Sequence, residues 1–152
     1  MTRASGGGFV LPPLALYVHI PWCVKKCPYC DFNSHTAGPN PPEEEYVDAL
    51  LADLDADLAQ VHNRPLSSIF FGGGTPSLFS AKALGRLLEG VERRVPFAAD
   101  IEITLEANPG TFEQEKFVAY RALGINRLSI GIQSFQPEKL KALGRIHNGD
   151  EA

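Results

Sequence analysis

Three cysteines lie within one short stretch of the chain, at Cys23, Cys27 and Cys30, and the sequence contains no others. An odd number of thiols packed this closely indicates a metal rather than a disulfide framework. Thiolates are soft ligands that suit iron–sulfur clusters. The spacing Cys-x3-Cys-x2-Cys therefore predicts a [4Fe–4S] cubane held at three corners, with the fourth iron open to a ligand.

Two other interpretations of the cysteines remain open at this point. A structural zinc ion takes four ligands, and His19 or His35 would have to complete the set. Alternatively, the thiols are buried without any metal. A four-thiolate electron-transfer cluster is disfavoured by the number of cysteines. Lys25 and Lys26, inside the same loop, either offset the charge of a cluster or are simply solvated.

Residues 72–76 (GGGTP) are a second candidate site. Glycine lets the backbone approach a ligand closely, and free N–H groups can meet a carboxylate, although a tight turn has the same composition. Glu106 could accept hydrogen bonds from hydroxyl groups or an ammonium, and Gln133 offers an amide. Arg145 could bind a carboxylate through two nitrogens. Each of these three side chains could also be an ordinary surface or capping residue.

Other polar residues have simpler interpretations. Tyr17 is expected to pack with its hydroxyl satisfied, and His19 and His147 are expected to serve in packing or capping. The acids that separate the apolar stripe of the first helix are expected to form a solvated face.

Strand and helix patterns alternate along the chain. Strands are predicted at 15–20, 67–71, 101–107 and 126–133, and helices are predicted to start with an Asn40 cap, a Ser80 cap, near residue 111 and at Pro137. Such an order favours an α/β fold with a parallel sheet, covered on both faces. Functional residues of these folds gather at the C-terminal edge of the sheet, and the cysteines, the glycines, Glu106 and Gln133 each follow or end a predicted strand.

Composition sets the remaining limits. The 152 residues carry a formal net charge of −4, with no basic run, which argues against partners such as nucleic acid or a charged membrane surface. No apolar stretch is long enough to span a bilayer. Residues 1–13 are predicted to be a flexible segment without a secretion signal, which favours the cytoplasm. A complete eight-unit barrel needs about 250 residues, so residues 14–152 are expected to form an incomplete domain, truncated at its C-terminus.

The cysteine spacing, with an aromatic residue before the last cysteine, resembles the signature of the radical S-adenosylmethionine (SAM) superfamily. The resemblance implies a partial TIM-like barrel in which the open iron binds SAM, and one electron cleaves SAM to give a 5′-deoxyadenosyl radical. Segments 17–23 (YVHIPWC), 27–35 (CPYCDFNSH), 71–78 (FGGGTPSL) and 131–135 (GIQSF) are similar to the oxygen-independent coproporphyrinogen III oxidase group. In that group SAM is contacted by residues that match Tyr17, Gly73, Gly74, Thr75, Glu106, Gln133 and Arg145.

Within this group the sequence most resembles the HemW-type heme chaperones. The oxidases carry a further cysteine where this chain has Phe32, and they have a longer extension before the cluster than the 22 residues found here. The resemblance implies heme or porphyrin as cargo, hemoproteins as acceptors and an electron donor. The alternative is an oxidase that decarboxylates coproporphyrinogen III.

Overall fold

The computed structural model describes residues 8–152, and for residues 111–114 it describes the backbone alone. Part of the predicted flexible segment, residues 1–7, therefore lies outside the described residues, and residues 8–13 contain no helix or strand. The regular elements are β1 (Leu14–Ile20), β2 (Trp22–Cys23), β3 (His35–Thr36), α1 (Glu43–Asp57), β4 (Leu66–Gly73), α2 (Ala81–Arg94), β5 (Phe97–Ala107), α3 (Thr111–Ala122), β6 (Arg127–Ile130) and α4 (Pro137–Ala142).

The main sheet has four parallel strands in the order β1-β4-β5-β6, so the predicted α/β class is confirmed. Neighbouring strands are linked by helical crossovers, which is the connection that parallel pairing requires. All four strands end at the same edge, where Ile20 is paired with Gly73 and Ala107 with Ile130. This edge carries the loops that hold the candidate residues.

The core lies between one face of the sheet and the first three helices. Alternate strand residues such as Val18, Phe71 and Leu105 are buried there against Leu84 of α2 and Tyr120 of α3. On the other face of the sheet Tyr17 and Glu102 are exposed, although Thr104 is buried. The expectation of a sheet covered on both faces is therefore wrong for the described residues, and helices on one face only are the arrangement of part of a barrel wall.

The predicted element ends are correct in some places and wrong in others. Ser80 caps α2, because its Oγ accepts from the Ala83 N–H at 3.1 Å, and α4 starts at Pro137 as predicted. Asn40 does not cap α1, which begins at Glu43 without a side-chain cap. β4 runs from Leu66 to Gly73, so the predicted strand over 67–71 is too short at both ends.

The acidic face of α1 is exposed but not merely solvated. Asp55 is hydrogen-bonded to Arg94 at 2.6 Å, and Asp48 is paired with Arg86. These pairs link α1 to α2 on the outside of the molecule. The hydrogen bonds from Arg94 lower the pKa of Asp55 below its ordinary value.

Candidate functional site

The three cysteines lie in a loop whose ends are tied together. Trp22 is paired with His35 and Cys23 with Thr36, so β2 and β3 close the loop at its base. Two further backbone bonds reinforce this base, from His35 N to Pro21 O at 2.6 Å and from Ala37 N to Cys23 O at 2.7 Å. All three thiols are free and half-buried. The loop therefore holds them at fixed positions just beyond the end of β1.

Inside this loop, Lys26 has a structural role. Its Nζ donates to Ser34 O at 3.2 Å and lies 3.5 Å from Phe32 O, so the side chain spans the loop. Ser34 is buried, and its Oγ is 3.6 Å from Cys30 Sγ. Lys25 has an exposed side chain that lines the same cavity as the thiols. The two lysines thus differ, and only Lys25 fits the interpretation of a solvated cation.

Residues 72–76, the glycine loop, pack directly on the backbone that leads into the cysteine loop, which carries Cys23, Cys27 and Cys30. Gly74 N donates to Ile20 O at 2.8 Å, and Thr75 N donates to Trp22 O at 2.7 Å. A Cβ atom on Gly74 would lie 2.6 Å from Trp22 O, so only glycine fits. Gly73 has a φ of +118°, which also favours glycine. These glycines therefore allow the loop after β4 to pack closely against the backbone of residues 20–22.

Glu106 lies at the end of β5 and faces the glycine loop. Its Oε2 accepts from Gly73 N at 3.2 Å. Burial raises the pKa of Glu106 above its ordinary value, and the Gly73 hydrogen bond offsets part of that rise. A carboxylate that is partly desolvated and still open on one side can accept hydrogen bonds from a ligand.

Arg145 joins the cysteine loop to the loops after β5 and β6. Its Nη1 is 3.4 Å from Cys27 Sγ, and its Nη2 donates to Asn108 Oδ1 at 2.8 Å and to Gly131 O at 2.5 Å. Asn108 also donates to Thr75 Oγ1 at 3.1 Å. Arg145 Nε is buried without a hydrogen-bond partner among the described residues, and the guanidinium also interacts with Tyr29.

Gln133 is next to this group. A Cβ atom on Gly131 would lie 3.6 Å from Gln133 Nε2 and 3.7 Å from Arg145 Nη2. Gln133 itself has a φ of +68°, in the left-handed region. β6 ends at Ile130, three residues before Gln133, so the predicted strand over 126–133 is too long.

Tyr17 is not among the residues that line the cavity. It is 57 % exposed, and its ring stacks on Phe70 with a centroid distance of 6.2 Å. Its hydroxyl is 2.9 Å from His19 Nδ1, and His19 Nε2 is 2.8 Å from Asn33 O. Burial of the hydroxyl, with the charge of Glu106, raises the pKa of Tyr17. Of the residues predicted to hold the cluster or SAM, Tyr17 alone is outside the cavity wall.

The remaining candidates line one cavity of about 180 Å³ at the C-terminal edge of the sheet. The predicted residues in its wall are Cys23, Cys27, Cys30, Gly73, Gly74, Thr75, Glu106, Gln133 and Arg145. Sequence reasoning missed Asn108 and Ser129, and it gave His147 no role in the site. Asn108 and Ser129 are at the ends of β5 and β6, so position at the sheet edge was the signal that could have found them.

No group of three His, Cys, Asp or Glu side chains among the described residues is arranged to hold a single metal ion. Both histidines considered for zinc are engaged elsewhere, because His19 is bonded to Asn33 O and His35 to Asn33 Oδ1. The zinc alternative thus gains no support. In a cubane each thiolate binds a different iron, so thiols that share a cavity wall without converging on one point fit a cluster.

The profile of the radical SAM superfamily matches residues 17–152. The chain therefore belongs to the radical SAM superfamily. Among curated relatives, the heme chaperone HemW of Escherichia coli is 61 % identical over 142 residues, which cover 93 % of this chain and 38 % of the relative. HemW of Haemophilus influenzae is 58 % identical, with coverage of 93 % and 38 %. The chain thus spans about two-fifths of the length of these relatives.

The fold also matches a solved structure, coproporphyrinogen III oxidase (HemN) from Escherichia coli, described as a radical SAM enzyme. The TM-score is 0.82 at 33 % identity, covering 91 % of this chain and 32 % of the other. This match confirms the predicted partial radical SAM barrel. Within the described part of the chain, no helix has the length and apolar character needed to cross a membrane.

Proposed function

We propose that the chain binds a [4Fe–4S] cluster through Cys23, Cys27 and Cys30, and binds SAM beside it. The observation that carries this proposal is that all three thiols share a cavity wall with the glycine loop, Glu106 and Arg145. When bound, the cluster supplies one electron and an open iron for a sulfonium ligand. The protein supplies the binding groups around them.

The residues proposed to bind SAM carry groups that suit different parts of SAM. Glu106 offers a partly desolvated carboxylate to hydroxyl or ammonium donors, and the guanidinium of Arg145 in the cavity wall suits a carboxylate. Gly73, Gly74, Thr75 and Gln133 complete the wall. Tyr17 would have to contact SAM from outside the present cavity wall.

For the whole protein we propose the role of a heme chaperone, which delivers heme to hemoproteins. The support is the 61 % identity to a heme chaperone, against 33 % to the oxidase structure. Phe32, an exposed residue of the cavity wall, stands where the oxidases carry a further cysteine. We also propose a cytoplasmic location and an electron donor, because cluster thiols need a reducing compartment.

Metal analysis after anaerobic reconstitution tests the cluster. The wild-type chain should hold iron and sulfide in equal amounts, and Cys27→Ser should lose both because an alkoxide is a poorer ligand than a thiolate. Asp31→Ala is the matched control, since Asp31 is an exposed residue of the same loop outside the cavity wall. Zinc without iron, or equal losses in the two variants, would contradict the proposal.

The chaperone and the oxidase are separated by their products. Reconstituted protein is titrated with heme, and is separately incubated with coproporphyrinogen III, SAM and a reductant. Stoichiometric heme binding without turnover is the expected result. Formation of protoporphyrinogen would favour the oxidase and refute a chaperone that has no enzymatic activity.

A further inference from the structure

Gln133 has a backbone conformation that a glutamine does not favour. Its φ of +68° is left-handed, and a residue other than glycine stays there only where its surroundings hold it. The residue is exposed and lines the cavity, so its own side chain is not held by packing. The segment that leads into Gln133 must therefore be fixed by other groups.

Two side chains from the loop after α4 bind the carbonyl groups that precede Gln133. Arg145 Nη2 donates to Gly131 O at 2.5 Å, and His147 Nε2 donates to Ile132 O at 3.1 Å. Arg145 has other partners, including Cys27 Sγ, and it belongs to the proposed SAM site. His147 also lines the cavity, and the hydrogen bond found for its ring among the described residues is the one to Ile132 O.

The chemistry of the His147 ring suits a fixed donor. A carbonyl can only accept a hydrogen bond, so the ring carries its proton on Nε2. The side chain is only 6 % exposed, and its Nδ1 is buried with no hydrogen-bond partner among the described residues. Burial, helped by the charge of Arg145, lowers the pKa of His147 and favours the neutral ring.

We propose that His147 is a positioning residue that holds Gln133 against the cavity by binding Ile132 O. This proposal rests on the proposed function, in which Gln133 contacts SAM. In this role His147 acts through the backbone, because it fixes the peptide next to the strained residue. This role could not be predicted from the sequence, because an isolated histidine suggested packing or capping.

The test compares SAM affinity and amide hydrogen exchange in reconstituted variants. A Gln Nε2 occupies nearly the same place as a His Nε2, whereas Asn is too short to reach Ile132 O. His147→Asn and His147→Leu should weaken SAM binding about fivefold and speed exchange over residues 131–135. His147→Gln should restore both to near the wild-type values, with unchanged iron content in all three.

A second comparison, made in a protein that carries Gln133→Gly, tests whether His147 acts through Gln133. Gln133→Gly adopts a positive φ without strain and has no side chain to place. Adding His147→Asn to it should leave SAM affinity within about 1.5-fold of the single variant. A further fivefold loss there, or wild-type exchange rates in His147→Asn, would overturn the proposal. If the wild-type chain holds its cluster yet binds no SAM, the proposed function fails, while the exchange rates still decide the role of His147.

Discussion

Replacing Gly74 by Ala tests whether the glycine loop is fixed by contact with the cysteine loop. The added Cβ would lie 2.6 Å from Trp22 O, 2.8 Å from Trp22 C and 2.9 Å from Pro21 C. All three are backbone atoms, which cannot rotate away as the end of a side chain can. Gly74 does not have a positive φ, so the effect of the substitution is steric and not conformational.

The expected loss of stability has two sources. Forcing an extra carbon into a closely packed region costs about 1–3 kcal/mol. Moving the segments apart also stretches the hydrogen bond from Thr75 N to Trp22 O, now 2.7 Å, whose net contribution is about 1 kcal/mol. The sum is about 2–4 kcal/mol, a large part of the ~5–15 kcal/mol that stabilises a typical domain.

Urea unfolding measures this loss directly. With a slope of about 2 kcal/mol/M, the midpoint of Gly74→Ala should fall by about 1–2 M. Iron content after reconstitution should also fall, because the displaced carbonyl belongs to Trp22, the residue before Cys23. The cysteine loop is thus predicted to respond to a change in a different segment.

Two other glycines are matched controls. A Cβ on Gly38 meets nothing within 4 Å, so Gly38→Ala should change stability by less than about 0.5 kcal/mol. A Cβ on Gly90 meets only side-chain atoms of Leu51, at 2.7 Å, and alanine is the better helix former. Gly90→Ala should therefore cost much less than Gly74→Ala. A Gly74→Ala midpoint equal to that of Gly38→Ala would refute the steric reasoning.

Three further predictions concern the folded state. Burial raises the pKa of Glu106 above its ordinary value, so the folded state holds this proton more tightly than the unfolded state does. The free energy of unfolding therefore falls as the pH rises from the ordinary pKa of a glutamate through the raised one. Because Glu106→Gln does not titrate, its stability relative to wild type should be greater at about pH 7.5 than at about pH 4 in urea unfolding. Leu84→Ala removes a side chain that is 0 % exposed and should cost about 2–5 kcal/mol, whereas Val118→Ala, at a residue 79 % exposed, should cost less than about 0.5 kcal/mol. Ser80→Ala removes the cap of α2 and should cost about 1 kcal/mol by thermal unfolding, and a value near zero would mean that the Ser80 contact does not stabilise the helix.

The order of elements and the edge that carries the site could be predicted from the sequence, because both depend on local signals. Alternating strand and helix patterns allow few connections, and parallel strands place all of their C-terminal ends together. Ser80 and Pro137 mark helix starts through interactions within one turn. For the same reason the cysteines, Glu106 and Arg145 were expected at one edge.

What could not be predicted depends on contacts between distant segments. Asn40 has the right type for a cap, but α1 begins three residues later, at Glu43, whose carboxylate accepts from Ser80 N at 2.7 Å. The roles of Asn108 and His147 need the loops after β5, β6 and α4 to meet. Residue type and spacing do not show which loops distant in the sequence come into contact.

The glycine triplet shows how a motif can serve the fold and the ligand at once. The sequence suggested that residues 72–74 bring the backbone close to a ligand, and the structure shows that they bring it close to Ile20 and Trp22. Packing within the fold and binding a ligand are compatible roles here, because the carbonyl groups of Ile20 and Trp22 accept from the glycine loop just before Cys23. Any group that binds the thiols and the glycine loop together would also bind the two loops to each other. Ligand binding should therefore stabilise this edge of the sheet more than its opposite edge, since groups that bind only the folded state add their binding free energy to its stability.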